Sequence, residues 1–183
     1  IQSVDKGKKQ YVYLTGGSNR DFSLAYEAAK RDGNYKLFVQ TNRMDRTIKD
    51  KFHNLPNVCL DLDCSGESDL LSGYNDAAIV LVPLKEDTGS MSGITVVFEA
   101  MAMGKPVIST RSFYYPFDLE KEGCGIYVEE GDVEGLNRAI NTLLKNPSLM
   151  QEMGQKGRKL VEDRFNYKLF CDELAVYIKQ FEK

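Results

Sequence analysis

The chain has no tryptophan, a single histidine (His53) and four scattered cysteines among its 183 residues. Cys59, Cys64, Cys124 and Cys171 form no CxxC pair. With one histidine to help them they offer no structural zinc site, and their spread does not resemble a secreted disulfide framework. They read as free thiols in a reducing, cytoplasmic setting. No apolar run approaches the roughly 18 residues of a membrane helix, and no signal-like start is present. Neither charge dominates: 24 Lys and Arg against 27 Asp and Glu give a net charge of −3. The two signs are interspersed, so there is no nucleic-acid surface to propose. What remains is an ordinary globular composition, 42% hydrophobic and 28% charged, of a length suited to one substantial domain.

The opening "IQSVDKGKKQ" is polar and lacks a methionine. Residues 1–10 read as a leader or linker exposed by cutting a longer protein, and residues 11–183 as one domain. In that domain short β-rich runs alternate with helical patterns. "YVYLTG" (11–16), "YKLFVQT" (35–41), "VCLDLD" (58–63), "AIVLVPL" (78–84), "PVIST" (106–110) and "GIYVEE" (125–130) read as strands. "RDFSLAYEAAKR", "DRTIKDKF", "ESDLLSGYNDA" and "GITVVFEAMAM" between them read as helices. Most strands lack strict alternation, as expected when both faces of a sheet are covered. The expected class is α/β: a Rossmann-like, doubly wound parallel sheet of about six strands. Asp132 is placed to cap a helix from Val133, Pro147 restarts the chain, and three successive C-terminal helices end it. Ligands of such folds bind at the carboxyl ends of the strands, so the loops after the strands carry the candidates.

In "SGITVVFEAMAMGKPVIST" (92–110) one acid, Glu99, falls within an otherwise apolar or small helix. Ser92, Thr95 and Glu99 lie on one stripe, and Gly93, Val97, Ala100 and Gly104 on the opposite one. The first-turn N–H groups near Gly93, Ile94 and Thr95 have no helical partner and, with the helix dipole, suit an anion such as a diphosphate. Glu99 stands about 8 Å further along the axis, within reach of the hydroxyls of an attached ribose, whose two donors one carboxylate can accept. The plainer reading, a surface Glu paired with a nearby cation, is equally open on helix geometry alone.

After the first strand, "LTGGSNRDF" (14–22) supplies Gly16 and Gly17 for close backbone approach and Arg20 to fork onto phosphate oxygens. Ser18 or Asn19 is the expected cap of the next helix, and Asp21 reads as stabilising its N-terminus. The stretch matches neither the dinucleotide GxGxxG nor a Walker loop. "KEDTGSMSG" (85–93) is a polar, glycine-bearing loop in which Glu86 or Asp87 could accept substrate hydroxyls. "DLD" (Asp61–Asp63) has the spelling of a metal-holding DxD, but three letters recur by chance and here end a strand.

Taken together these stretches resemble the C-terminal half of a GT-B fold glycosyltransferase. The family includes bacterial α-mannosyl- and α-glucosyltransferases and glycogen synthases. "FEAMAMGKPVIST" resembles its EAMAxGxPVIxT motif, "LLSGYNDAAIVLVPL" its "lyxxadvfvlPS" segment, and "GIYVEEGDVEGLNRAINTLLKNPSLMQEMGQKGRKLVEDRF" its C-terminal pattern. The resemblance implies that Glu99 accepts from the donor's ribose and that Ser92 to Thr95 hold its diphosphate. It also implies that Arg20 neutralises the pyrophosphate. Transfer of a hexosyl group from a nucleoside-diphosphate sugar, such as a UDP- or GDP-sugar, to an acceptor hydroxyl follows, with retention at the anomeric carbon. No metal and no cofactor besides the donor substrate is expected. The acceptor-binding N-terminal domain would be absent, the isolated domain nearly inactive, and the last helix left with an apolar face uncovered. That missing domain would also carry any peripheral membrane association, in keeping with polysaccharide biosynthesis.

Two departures stand out. Where the family has a first glutamate followed by Gly-Phe-Gly, this chain has Met91, Ser92, Gly93 and Ile94, and an Arg…Lys pair after the first strand is reduced to Arg20. Two competing readings remain. One is a nucleotide-sugar epimerase of the same fold, poorly supported by His53 alone. The other is a non-catalytic regulatory domain built on Asp61 and Asp63.

Overall fold

Tyr11 to Thr15 are buried without interruption because β1 (Tyr11–Thr15) runs down the middle of the sheet. The computed structural model describes residues 11–63, 67–85 and 91–181. In it β2 (Leu37–Gln40), β3 (Val58–Asp61), β4 (Ala77–Val82), β5 (Val107–Thr110) and β6 (Gly125–Val128) complete six strands. Their order is β3-β2-β1-β4-β5-β6, and every pairing is parallel. The order reverses between β1 and β4, which makes the crevice above that pair the switch point where ligands of doubly wound sheets bind.

The helices are α1 (Phe22–Arg31), α2 (Arg46–His53), α3 (Glu67–Asp76), α4 (Ile94–Ala102), α5 (Val133–Leu144), α6 (Pro147–Arg164) and α7 (Tyr167–Lys179). One core lies under α1, α2 and α5, where Leu24, Ala28, Phe52, Leu136 and Ile140 cover Val12, Leu14, Val39 and Ile79. The other lies under α3, α4 and α6, where Tyr74, Val97, Ala100, Met101 and Leu160 cover Tyr13, Val80 and Val107. Two covered faces are the reason the strand sequences run apolar instead of alternating. The expected class, strand count and C-terminal helices all stand.

Asp132 caps α5 through the Gly135 N–H at 2.8 Å, and Pro147 is in the first turn of α6 behind its cap Asn146. The cap of α1 differs from expectation. Asp21 accepts from the Leu24 N–H at 2.9 Å, not Ser18 or Asn19. Asn19 instead takes a left-handed conformation, φ 55, which asparagine tolerates, and turns the loop so that Asp21 arrives at the cap position.

Gly104 has a different neighbour from the one its helical stripe suggests. It packs against α6, where a Cβ on Gly154 would lie 2.0 Å from the Gly104 carbonyl oxygen. Phe98, Phe117 and Phe165 form a three-ring cluster, with centroids 5.1–5.5 Å apart. By contrast α7 buries no residue. It exposes Tyr167, Phe170, Leu174 and Tyr177, spaced three and four apart along one stripe. Among the described residues Cys59, Cys124 and Cys171 are free thiols. No helix among them is long and apolar enough to cross a membrane.

Candidate functional site

At the switch point the loop leaving β1 is stitched to the segment leaving β4. The Asp21 N–H donates to the Pro83 carbonyl at 2.9 Å and the Lys85 N–H to the Asn19 carbonyl at 3.0 Å, with Arg20 and Leu84 forming an antiparallel bridge. This lacing carries Arg20 inward. Its residue is only 4% exposed, although it bears a full charge. Its Nε donates to the Thr15 carbonyl at 3.0 Å and its Nη1 to the Ser18 carbonyl at 3.4 Å. No carboxylate pairs with it among the described residues. Burial lowers the guanidinium from its ordinary value, and the Tyr115 and Tyr74 hydroxyls counter that shift. Arginine nevertheless keeps its charge in folded proteins. A buried cation without a counterion is costly, and an anionic ligand would offset that cost.

The two glycines that flank the guanidinium explain how it fits. Gly16 has φ 84, and a Cβ there would lie 2.8 Å from Arg20 Nη2. Gly93 also has φ 84; a Cβ on it would lie 2.8 Å from Val82 Cγ1, 2.9 Å from the Tyr115 hydroxyl and 3.2 Å from Arg20 Nη1. Gly93 is the N-cap of α4. The guanidinium, the Tyr115 hydroxyl and the start of α4 therefore meet at one point.

That helix end differs from those of α1, α2, α5, α6 and α7. Asp21, Asp45, Asp132, Asn146 and Asn166 cap α1, α2, α5, α6 and α7 with a side-chain oxygen. No side chain caps α4. The Ile94 N–H reaches the Met91 carbonyl only at 3.5 Å, and the next N–H groups of the first turn have no partner among the described residues; they lie beside a buried arginine, where the dipole favours negative charge.

Further along α4 the expected two stripes are present. Val97 and Ala100 are fully buried, whereas Thr95 and Glu99 face outward. Glu99 is held by Tyr74, whose hydroxyl donates to Oε2 at 2.6 Å. Tyr74 is 2% exposed. Burial, then the bond and charge of Glu99, push its hydroxyl well above the usual tyrosine range, so it stays protonated and donates. Oε1 of Glu99 has no partner among the described residues and can accept from a ligand. Tyr74 is itself fixed from below. Its ring meets Tyr13 edge-on, centroids 5.1 Å apart, and Gly73 leaves room for the Tyr13 hydroxyl, which a Cβ would approach to 2.5 Å. Tyr13 in turn donates to Gln40 Oε1, and Gln40 Nε2 donates to Asp61 Oδ2 at 2.9 Å.

The structure thus gathers Gly16, Arg20, Gly93 and the first turn of α4, including Ile94 and Thr95, at the switch point, with Ser92 adjoining in sequence and Glu99 further along the same helix. Gly17 lies beside them in the β1–α1 loop. Glu86 and Asp87 lie outside the described residues. Met91 is exposed, in the segment entering α4. Asp61 has a structural use, since its two oxygens accept from Gln40 and from the Asp63 N–H. His53 ends α2, away from these residues.

Sequence reasoning missed three side chains. Tyr74 was inside a quoted segment, and its Gly-Tyr pair was the available signal. Tyr115 was in "FYYPF", an aromatic run too dense for an ordinary surface loop. Arg43 follows β2 and lies over Gly17, where a Cβ would come within 2.4 Å of its own Cβ.

The fold is shared with known proteins. The chain is 31% identical over 129 residues to CapM of Staphylococcus aureus, a capsular polysaccharide biosynthesis glycosyltransferase. The match takes in 70% of this chain and 32% of that protein. WaaG, a glycosyltransferase involved in lipopolysaccharide biosynthesis, has the same fold, with a TM-score of 0.69 and 23% identity over 89% of this chain and 45% of its own. So does HepE of Anabaena, solved with UDP and glucose, with a TM-score of 0.74 and 13% identity over 93% of this chain and 48% of its own. The chain thus spans between a third and a half of the length of these proteins. The model of the family described as glycosyl transferases group 1 matches residues 5–160, and the chain belongs to that family.

Proposed function

We propose that this domain binds the nucleoside-diphosphate sugar of a glycosyltransferase. The observation that carries the reading is the meeting of buried, uncompensated Arg20 with the uncapped N-terminus of α4. The diphosphate lies against both, and the ribose diol of the same nucleotide is accepted by Glu99. HepE, of the same fold, was solved with UDP and glucose, which supports a nucleoside diphosphate as ligand. In the reaction the glycosidic bond to the diphosphate breaks and an acceptor hydroxyl takes the sugar. Arg20 and the helix dipole stabilise the charge that develops on the leaving diphosphate, the kind of preorganised electrostatic contribution that catalysis rewards most.

Retention at the anomeric carbon and metal-independent departure of the diphosphate belong to this reading. The exposed apolar stripe of α7, and the share of its relatives that the chain spans, support a further acceptor-binding domain in the working enzyme. CapM and WaaG are named for capsular polysaccharide and lipopolysaccharide, so a cell-surface glycan made on the cytoplasmic side is the acceptor class proposed.

Calorimetric titration of the chain with UDP, GDP and ADP tests the reading. One diphosphate binds, and Arg20→Gln, checked by circular dichroism for an intact fold, weakens it at least about tenfold, as expected for loss of a charge-assisted hydrogen bond. Equal binding by a folded Arg20→Gln protein would overturn it.

A further inference from the structure

Arg20 is partly spent within the protein. Two of its nitrogens are held by the Thr15 and Ser18 carbonyls, which leaves Nη2 for a ligand carrying two phosphates. In sequence no second cation follows in the β1–α1 loop, but the fold brings one in from the side. β2 is hydrogen-bonded to β1, so the connection after β2 emerges next to the connection after β1, at the same edge of the sheet. Arg43 is in that connection, where its N–H donates to Thr41 Oγ1 at 3.2 Å.

The Arg43 stem crosses directly over Gly17. A Cβ on Gly17 would lie 2.4, 2.7 and 2.9 Å from Arg43 Cβ, Cδ and Cγ. The nearest of these is fixed to the Arg43 backbone, so rotating the side chain cannot relieve the clash. Gly17 has no positive φ, so its backbone conformation does not call for glycine. What the missing side chain provides is room for Arg43. Arg43 therefore starts from the place where a residue at position 17 would have projected its own side chain.

The guanidinium is available. Its Nη1 reaches Ser18 Oγ at 3.5 Å, at the limit of a hydrogen bond, and it has no carboxylate partner among the described residues. Asp45, the nearby acid, accepts from the Thr47 N–H at 2.8 Å as the cap of α2. Gly17, Arg20, Ser23, Arg43 and Lys85 border one recess together with Asp45, so it carries three cations against one acid.

We propose that Arg43 is the second cation of the diphosphate subsite, reaching it over Gly17 from the β2–α2 connection. The proposal rests on the donor-binding reading above and completes its charge balance. Arg20 is the buried, rigid partner and Arg43 the exposed one.

The test is calorimetry of the chain with UDP, GDP and inorganic pyrophosphate, and with uridine and guanosine as phosphate-free controls. Arg43→Gln weakens pyrophosphate and the bound nucleotide about tenfold, the loss expected of one charge-assisted hydrogen bond, and leaves the nucleosides unchanged. Arg158→Gln on α6, far from the recess, controls for net charge. Gly17→Ala, which keeps the charge but displaces Arg43, weakens the same ligands. If wild type binds a nucleotide and Arg43→Gln binds it equally well, this inference fails and the donor-binding reading stands. If wild type binds neither nucleotide nor pyrophosphate, both readings fail together.

Discussion

Tyr74 and Glu99 stand on different helices, yet the phenolic hydroxyl donates to the carboxylate at 2.6 Å. A short bond from a buried neutral donor to an exposed carboxylate fixes where the free oxygen of Glu99 points. Preorganisation of this kind spares a binding site the entropy of ordering a flexible glutamate. In the proposed donor site Tyr74 is therefore a positioning residue for Glu99.

Tyr74→Phe keeps the ring against Tyr13 and removes only the hydroxyl. Its expected effect is a weakening of the bound nucleoside diphosphate by about fivefold, some 1 kcal/mol. Affinity for inorganic pyrophosphate, which has no ribose, stays at the wild-type value. Parallel losses for both ligands would mean that the variant disturbs the fold and not the clamp.

Gly93→Ala attacks the site through the backbone. The residue would have to keep φ 84 with a Cβ 2.8 Å from Val82 Cγ1, and a non-glycine residue in a strained conformation costs about 1–3 kcal/mol. For a domain of this size each kcal/mol lowers Tm by about 2–4 °C. Differential scanning calorimetry should show that drop, together with loss of diphosphate binding. An unchanged Tm would place the start of α4 elsewhere than against Val82.

Gly154→Ala reports on the packing behind the site. Its Cβ would meet the Gly104 carbonyl at 2.0 Å, a backbone atom that cannot rotate away. Overpacking of this kind costs about 1–3 kcal/mol, and separation of α6 from α4 should show as a lower denaturant midpoint. A neutral effect would contradict the α4–α6 contact.

Where a single residue type forces the local structure, the sequence was legible. The apolar runs from Tyr11 and Ala78, bounded by Gly and Pro, identify central strands. Asp132 ahead of an amphipathic run identifies a capped helix, and the polar stripe of Thr95 and Glu99 is visible because nothing else on that helix is polar. The arrangement depends on contacts between distant segments where it was not legible. Asn19 looks like a cap, but it is the turn that delivers Asp21 to the cap, and only the lacing to Pro83 and Lys85 decides between the two. Arg43 is 26 positions from Gly17, and no local pattern connects them. Strand adjacency does. Tyr74 is separated from Glu99 by a strand and a loop, and its neighbour Gly73 acquires meaning only once Tyr13 is seen to fill the space above it.

In the proposed donor site α4 presents a diphosphate site at its start and a ribose clamp at Glu99. The most direct measurement is the affinity of wild type and Glu99→Ala for the preferred nucleoside diphosphate and for its 2′-deoxy form. Wild type is expected to prefer the ribose form, and Glu99→Ala to lose at least about tenfold for it, the worth of a hydrogen bond to a charged group. The variant should then bind the two forms alike and hold pyrophosphate as wild type does. If wild type makes no distinction between ribose and deoxyribose, or Glu99→Ala keeps the preference, Glu99 is a surface carboxylate and the ribose lies elsewhere.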